Sequence, residues 1–354
     1  MLKLYIYINF MLIKNNYNRQ IYVWLISLIS LIGIIIIVGG LTRLTNSGLS
    51  IIEWELFKGI LPPLSNAEWI NYFNLYKTIP QYEIINKNMS LDDFKVIFLW
   101  EYYHRLLARV IGLIFILPFV YFFFLKIFNK RYEKIFFTIF VLILLQGIIG
   151  WYMVKSGLAD NVSVSHYRLS IHLFLAFVIF SSLTWIFFNL KKNIDKRFFI
   201  NNNKIKSLKF LLFITYLQII IGAFVSGLDA GKIYQTWPMM NDAFVPDDLV
   251  MSSFINLLNF SQHGLVQFIH RNLAYLIFVL SIYVGFIIYK NKIIELYKPY
   301  LIFEIIIIFQ ILLGIFTLLS NLRIEIASLH QISSIFLVYF LLNLYHKSIA
   351  LKAN

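Results

Sequence analysis

The sequence predicts an all-α integral membrane protein of about eight transmembrane helices, arranged as two parallel four-helix repeats. Three observations carry this expectation. The 354-residue chain is 60% hydrophobic and only 14% charged, with a mean hydropathy of +0.76, whereas soluble chains carry roughly 25% charged residues. Apolar runs of spanning length recur from one end to the other. The formal charge of +14 is gathered into short loops on alternating sides, which reads as membrane topology, with anionic lipid contributing, and speaks against nucleic acid as a partner.

Taken in order, the apolar segments are Ile21 to Thr42, Ile97 to Leu125, Ile135 to Val154, Ser170 to Phe188, Leu208 to Val225, Val266 to Tyr289, Tyr300 to Leu319 and Ile326 to Tyr345. Each is close to the roughly 20 residues that a helix needs to cross the hydrocarbon core. The first follows Lys14 and Arg19 and runs into Gly39, Gly40 and Arg43 with no small-residue cleavage site, so it is expected to be a retained span rather than a signal peptide. Lys126, Lys130, Arg131 and Lys134 follow the second span. Lys191, Lys192, Lys196, Arg197, Lys204, Lys206 and Lys209 follow the fourth, Lys290, Lys292 and Lys298 the sixth, and Lys347 and Lys352 the last. The positive-inside rule puts all of them, and both termini, in the cytoplasm.

The expected organisation is then a cytoplasmic N-terminus (1–20), an N-terminal four-helix half (21–190) with a long outer loop (43–96), a basic cytoplasmic linker (191–209), a C-terminal four-helix half (210–346) and a cytoplasmic tail (347–354). The outer loop has turn signals at Leu61-Pro62-Pro63 and a helical stretch near Asn66 to Tyr76. A second outer loop, Ser226 to about Gln262, is acidic through Asp229, Asp242, Asp247 and Asp248. Loops of this length are more often functional than connective.

The halves echo each other. Tyr103-His104-Arg105-Leu106-Leu107-Ala108 in the second span matches Ile269-His270-Arg271-Asn272-Leu273-Ala274 in the sixth. Gln146 and Gly150 in the third match Gln310 and Gly314 in the seventh, with Gln218 and Gly222 in the fifth; His172 in the fourth matches His330 in the eighth. An even number of spans per half gives both halves the same orientation.

The chemistry is expected at ionisable residues inside the spans, which are costly in lipid. With no cysteine in the chain, disulfides, thiolate-ligated heme, iron–sulfur clusters and covalent c-type heme are all excluded. Any metal must be held by histidine or carboxylate. His104, His172, His270 and His330 each lie near the outer end of an even-numbered span, one pair in each half. Two hemes, each gripped by two imidazoles from facing helices, need that arrangement. Arg105 and Arg271, each next to a ligand candidate, either meet heme propionates or snorkel to the outer surface. His166, His263 and His346 fall outside the repeat and are read as structural. Glu101 lies three residues before His104 on the same helical face, and also four before Arg105, so it either serves the site or pairs with the arginine. Glu304, the other buried acid, has no evident task.

At these residues the chain resembles the heme A synthases, in the form found in proteobacteria and mitochondria. The resemblance runs from about Ile21 to Tyr345. It rests on Gly39-Gly40-Leu41-Thr42-Arg43-Leu44-Thr45, Ser47-Gly48-Leu49-Ser50, Glu53-Trp54, Leu61-Pro62-Pro63-Leu64-Ser65, Trp100-Glu101-Tyr102-Tyr103-His104-Arg105, Tyr167-Arg168-Leu169, Gly227-Leu228-Asp229-Ala230-Gly231-Lys232 and Thr236-Trp237-Pro238-Met239. It implies an oxidoreductase that oxidises the methyl group of heme O to the formyl group of heme A for cytochrome oxidase, through a hydroxylated intermediate, with oxygen from water and an external electron acceptor. It implies a resident heme b on His270 and His330, the substrate heme on His104 and His172, and Glu101 as the family glutamate near the substrate. It also implies heme O synthase as the heme donor, and a place in the bacterial inner membrane, or the mitochondrial inner membrane for an organellar protein. A homo-oligomer is compatible with the sequence. Relatives in Gram-positive bacteria carry an outer-loop cysteine pair that this chain lacks.

Two rival readings use the same residues differently. A di-heme b-type electron-transfer cytochrome would hold two permanent hemes on the four histidines. A transporter of parallel repeats would place its polar groups at the midplane, whereas here they crowd the outer end.

Overall fold

The computed structural model describes residues 17–54, 58–158, 162–199, 205–249 and 259–349. Lys14, Lys204 and Lys352 of the basic clusters lie outside the described residues. The chain forms ten α-helices among the described residues: α1 (Asn18–Leu44), α2 (Asn66–Tyr76), α3 (Pro80–Ile84), α4 (Leu91–Phe124), α5 (Lys130–Gly157), α6 (His166–Lys191), α7 (Ser207–Gly227), α8 (His263–Lys290), α9 (Tyr297–Leu319) and α10 (Ile324–Ser348). All but α2 and α3 belong to segments long and apolar enough to cross a membrane, so the eight-span, all-α membrane architecture holds.

Every span starts before the apolar run that announced it, because helix ends carry polar residues that hydropathy cannot count. The clearest case is α4. It starts at Leu91 rather than Ile97, because Ser90 and Asp93 form a reciprocal capping box and Asp92 and Asp93 fill its first turn, where carboxylates suit the positive end of the helix dipole. The outer-loop helix falls where expected, at Asn66–Tyr76, started by a second capping box between Ser65 and Glu68.

Within the N-terminal half, α1 packs on α4 and α6, and α5 on α6; within the C-terminal half, α7 packs on α8, and α9 on α10. The halves meet where α6 packs on α7 and where α10 packs on α1 and α6. One large apolar core joins all eight spans, with Trp24, Phe115, Phe136, Phe177, Phe303 and Tyr345 among its buried rings.

The outer loop is a folded unit rather than a connection. Phe73, Tyr76, Phe94, Phe98 and Tyr102 pack with Leu49, Ile51 and Val164 in a separate core, with Phe73 stacked on Phe94 at a centroid distance of 5.0 Å. The loop thereby covers one end of the N-terminal half. A further core in the C-terminal half is much smaller, formed by Ile221, Phe224, Ala230 and Val266.

Candidate functional site

His172, His270 and His330 stand about two turns from the start of α6, α8 and α10. His104 is about four turns into α4, because α4 alone begins inside the folded outer loop. The four imidazoles come together in pairs. The ring centres of His104 and His172 are 6.3 Å apart, and those of His270 and His330 are 6.5 Å apart. Two imidazoles that ligate one metal from opposite sides at about 2.0 Å each put their ring centres roughly 6.2 Å apart, since a ring nitrogen lies roughly 1.1 Å from its centre. Both pairs already have that spacing.

The helices that carry a pair stand apart from each other. Neither α4 with α6 nor α8 with α10 is a closely packed pair. Each histidine instead lies against the preceding span. His104 lies on Gly39 of α1, His172 on Gly150 of α5, His270 on Gly222 of α7 and His330 on Gly314 of α9, where an added Cβ would stand 2.9, 3.0, 3.0 and 2.9 Å from the ring's Cε1. No residue but glycine fits these seats undisturbed, since carbon atoms settle at about 3.5–4.0 Å.

Three of the rings have a glutamine as well. Gln146 Nε2 donates to the His172 carbonyl at 3.0 Å and lies 3.4 Å from its Nε2. Gln218 does the same for His270, at 3.0 and 3.4 Å. Gln310 donates to the His330 carbonyl at 3.0 Å and lies 3.3 Å from its Nδ1, and Ser333 holds Gln310 in turn. The opposite nitrogen, Nδ1, is buried and unpartnered in His172 and His270, and so is Nδ1 of His104. Buried polar atoms rarely stay unsatisfied. Paired imidazoles with orphaned nitrogens, across a gap between helices, fit the two axial ligands of a heme iron, for which the porphyrin supplies the other donors. Among the described residues no three His, Asp or Glu side chains gather into a metal cluster.

Glu101 is buried, with 3% of its surface exposed, and both its oxygens are engaged. Ser50 Oγ and the Ile51 N–H donate to Oε2 at 2.7 and 2.9 Å, and Arg105 donates to Oε1 at 2.6 Å. Arg105 also reaches the Ile51 carbonyl at 2.9 Å and lies over the Trp54 ring at 5.1 Å. The pairing of Glu101 with Arg105 that their spacing allowed is therefore present, and it clamps the segment 50–54 onto α4 one turn from His104. Arg271 donates to the carbonyls of Met239 and Tyr234 at 3.1 and 2.9 Å, and its Nε is buried without a partner.

Residues outside the repeat behave as structural groups. His346 is buried, 2.9 Å from Asn189 Oδ1, with its carbonyl accepting from Lys196 Nζ at 2.7 Å. His166 packs on Tyr167 and Phe224. His263 opens α8. Glu304 accepts from Ser281 at 3.2 Å.

Sequence reasoning missed two parts of the site. Gly39 completes the set of glycine seats, but Ile35 stands where the other three carry glutamine, so the shared Gln-x-x-x-Gly signal skipped it. The Ser50–Ile51 clamp on Glu101 joins residues fifty positions apart, a pairing that no local spacing reports.

Eight spans among the described residues, with two imidazole pairs whose rings each sit on a glycine, define a polytopic helical membrane protein with two paired-histidine sites. Known proteins place it more narrowly. The family model for COX15-CtaA, described as cytochrome oxidase assembly protein, matches residues 22–342, and the chain belongs to this family. It is 49% identical to a protein of Pelagibacter ubique named heme A synthase, over 93% of this chain and 97% of the relative. It is 41% identical to one of the same name from Wolbachia pipientis, over 90% and 95%, and 40% identical to another from Rickettsia bellii, over 89% and 94%.

Proposed function

We propose that this chain is a heme A synthase of a bacterial inner membrane, an oxidoreductase that converts the methyl group of heme O into the formyl group of heme A through a hydroxylated intermediate. The observation that carries the reading is the pair of imidazole pairs, 6.3 and 6.5 Å apart, in a chain whose relatives bear that name over nearly their whole length. His270 and His330 hold a resident heme b. His104 and His172 receive heme O, which heme O synthase supplies, and both termini face the cytoplasm so that the sites lie toward the outer leaflet.

When bound, the hemes would supply the redox chemistry of methyl oxidation, with an external acceptor for the electrons and water as the source of the aldehyde oxygen. The protein's part is binding, orientation and charge. The glycine seats hold the four rings, and Gln146, Gln218 and Gln310 hold the backbone carbonyls of three of the histidines. The aromatic roof over the N-terminal half excludes bulk water, which strengthens every electrostatic interaction beneath it. A carboxylate offers about four acceptor positions, and Glu101 already fills three. Its role is a fixed negative charge beside His104 that stabilises positive charge developing on the substrate, with Arg105 and Ser50 setting its position.

The experiment is expression in a host that makes heme O and lacks its own heme A synthase. Heme A should appear in extracted membranes. Heme O that persists unchanged, with this protein present and loaded with heme, would favour the electron-transfer cytochrome and overturn the reading.

A further inference from the structure

The second outer loop sorts its side chains onto two faces. Tyr234 and Met240 are buried, whereas Trp237, Met239, Phe244 and Val245 each have 40–46% of their surface exposed. This segment lies along α8. Phe244 meets the Phe268 ring edge to face at a centroid distance of 5.7 Å, and Trp237 Nε1 donates to the Tyr275 hydroxyl at 3.1 Å. At 1.5 Å per residue, Tyr275 is about 18 Å along α8 from its first residue. Phe268 and Tyr275 share one helical stripe with Val279, Ile282 and Phe286. The last three are exposed, which on a spanning helix is the face that meets lipid. The loop therefore covers the first part of the lipid-facing stripe of α8, and its own apolar side chains continue that surface. Its backbone is provided with partners. The Tyr234 carbonyl accepts from Gln267 and Arg271 at 2.8 and 2.9 Å, and the Met239 carbonyl from Thr236 and Arg271 at 2.9 and 3.1 Å. The N–H groups of Met240 and Asn241 donate to the Ala243 carbonyl and to Thr236 Oγ1 at 2.7 and 2.8 Å. Irregular backbone is tolerated at membrane depth only with such partners.

We propose that segment 234–245 is a membrane-embedded strap, with Trp237, Met239, Phe244 and Val245 seated among phospholipid acyl chains just beneath the headgroups. The partner is lipid because the strap continues the lipid-facing stripe of α8 without a break. Trp237 suits that level, with an apolar ring toward the chains and its N–H satisfied by Tyr275. Asn241 and Asp242 fill the turn between Met240 and Ala243, and this polar turn is the edge toward water, since a carboxylate is costly in lipid. The inference needs only that the spans lie in a bilayer, and it stands apart from the heme A synthase reading. It gives the loop a task beyond connection. Arg271, the residue after His270, binds two strap carbonyls, so lipid that holds the strap also holds the arginine beside a candidate ligand.

The chain has no cysteine, so a single introduced thiol reports one position without background. The test places the full-length, heme-loaded protein in nanodiscs of phosphatidylcholine and phosphatidylglycerol, where both membrane faces are open to reagent. Met239→Cys, Val245→Cys and, as the control on the same loop, Asp242→Cys are alkylated with a charged maleimide and followed by mass spectrometry. A thiol among acyl chains meets no charged reagent and holds little thiolate, and each unit by which its pKa rises costs about tenfold in reactive form. Met239→Cys and Val245→Cys should therefore react at least roughly tenfold more slowly than Asp242→Cys. In the wild type, a phosphatidylcholine with a diazirine on its acyl chain should crosslink to the peptide spanning 234–245 on illumination. Alkylation of Met239→Cys and Val245→Cys at the rate of Asp242→Cys would place the strap in water and overturn the inference. Slow alkylation without an acyl-chain crosslink would overturn it as well, because a second copy of the chain would then be the cover.

Discussion

Gly314→Ala places a methyl carbon 2.9 Å from Cε1 of His330, 3.4 Å from Nδ1 and 3.6 Å from Nε2. Carbon atoms settle at about 3.5–4.0 Å, so the ring edge must retreat by roughly 0.6–1.1 Å. Rotation offers little relief, because His330 Nδ1 is held 3.1 Å from the Gln310 carbonyl and 3.3 Å from the Gln310 side chain. Metal–ligand distances tolerate only about 0.2 Å, so the displacement exceeds what an axial bond can absorb several times over. The expected result is a C-terminal heme that loses its six-coordinate low-spin spectrum, or is lost during purification. Gly147→Ala is the control. It is one turn away from Gly150 on α5, nothing lies within 4 Å of its added methyl, and alanine favours the helix by about 1 kcal/mol. Absorption and electron paramagnetic resonance spectra of both variants decide the matter. A Gly314→Ala protein with the heme content and spectrum of Gly147→Ala would refute the claim that the glycine is a seat for a ligating ring.

Three further outcomes are expected. Glu101→Gln keeps the side-chain shape but removes the charge that three donors surround, so heme A formation should fall roughly a hundredfold or more with resident heme b retained; normal heme A output from this variant would reduce Glu101 to a structural partner of Arg105. Gly40→Ala drives a methyl into the Gln331 side-chain amide and breaks the 2.8 Å bond from Gln331 Nε2 to the Ile36 carbonyl, which ties α10 to α1. Overpacking of this kind costs about 1–3 kcal/mol, so thermal heme loss should occur at lower temperature than in Gly147→Ala, and an equal temperature would count against a tight contact between the halves. A reporter fused after Lys87 should behave as external, and cytoplasmic behaviour there would invert the topology and move all four histidines to the inner leaflet.

The spans and the four histidines were legible in the sequence for a physical reason. A helix in lipid must be apolar over its whole length, and an imidazole within it stands out against that background. The seats were partly legible, because Gln146 with Gly150, Gln218 with Gly222 and Gln310 with Gly314 repeat at one helical turn. Gly39 was hidden by Ile35. The engagement of Glu101 by Ser50 and Ile51 was hidden because a contact between a loop and a helix fifty residues on leaves no period to read. The same holds for the aromatic roof, where Phe73 and Phe94 meet across two helices and a turn. Arg271 illustrates the converse: its place after His270 allowed either a propionate or snorkelling to the outer surface, and two of its nitrogens bind the carbonyls of Met239 and Tyr234, contacts that no neighbour in sequence foretold.

The central claim is that two histidine pairs hold two different hemes, and extraction and chromatography of porphyrins from purified His270→Ala and His104→Ala proteins test it most directly. The account predicts that His270→Ala loses heme B and that His104→Ala retains heme B while losing bound heme O and heme A. Equal loss of a single kind of heme from both variants, with no heme O or heme A in the wild type, would contradict it.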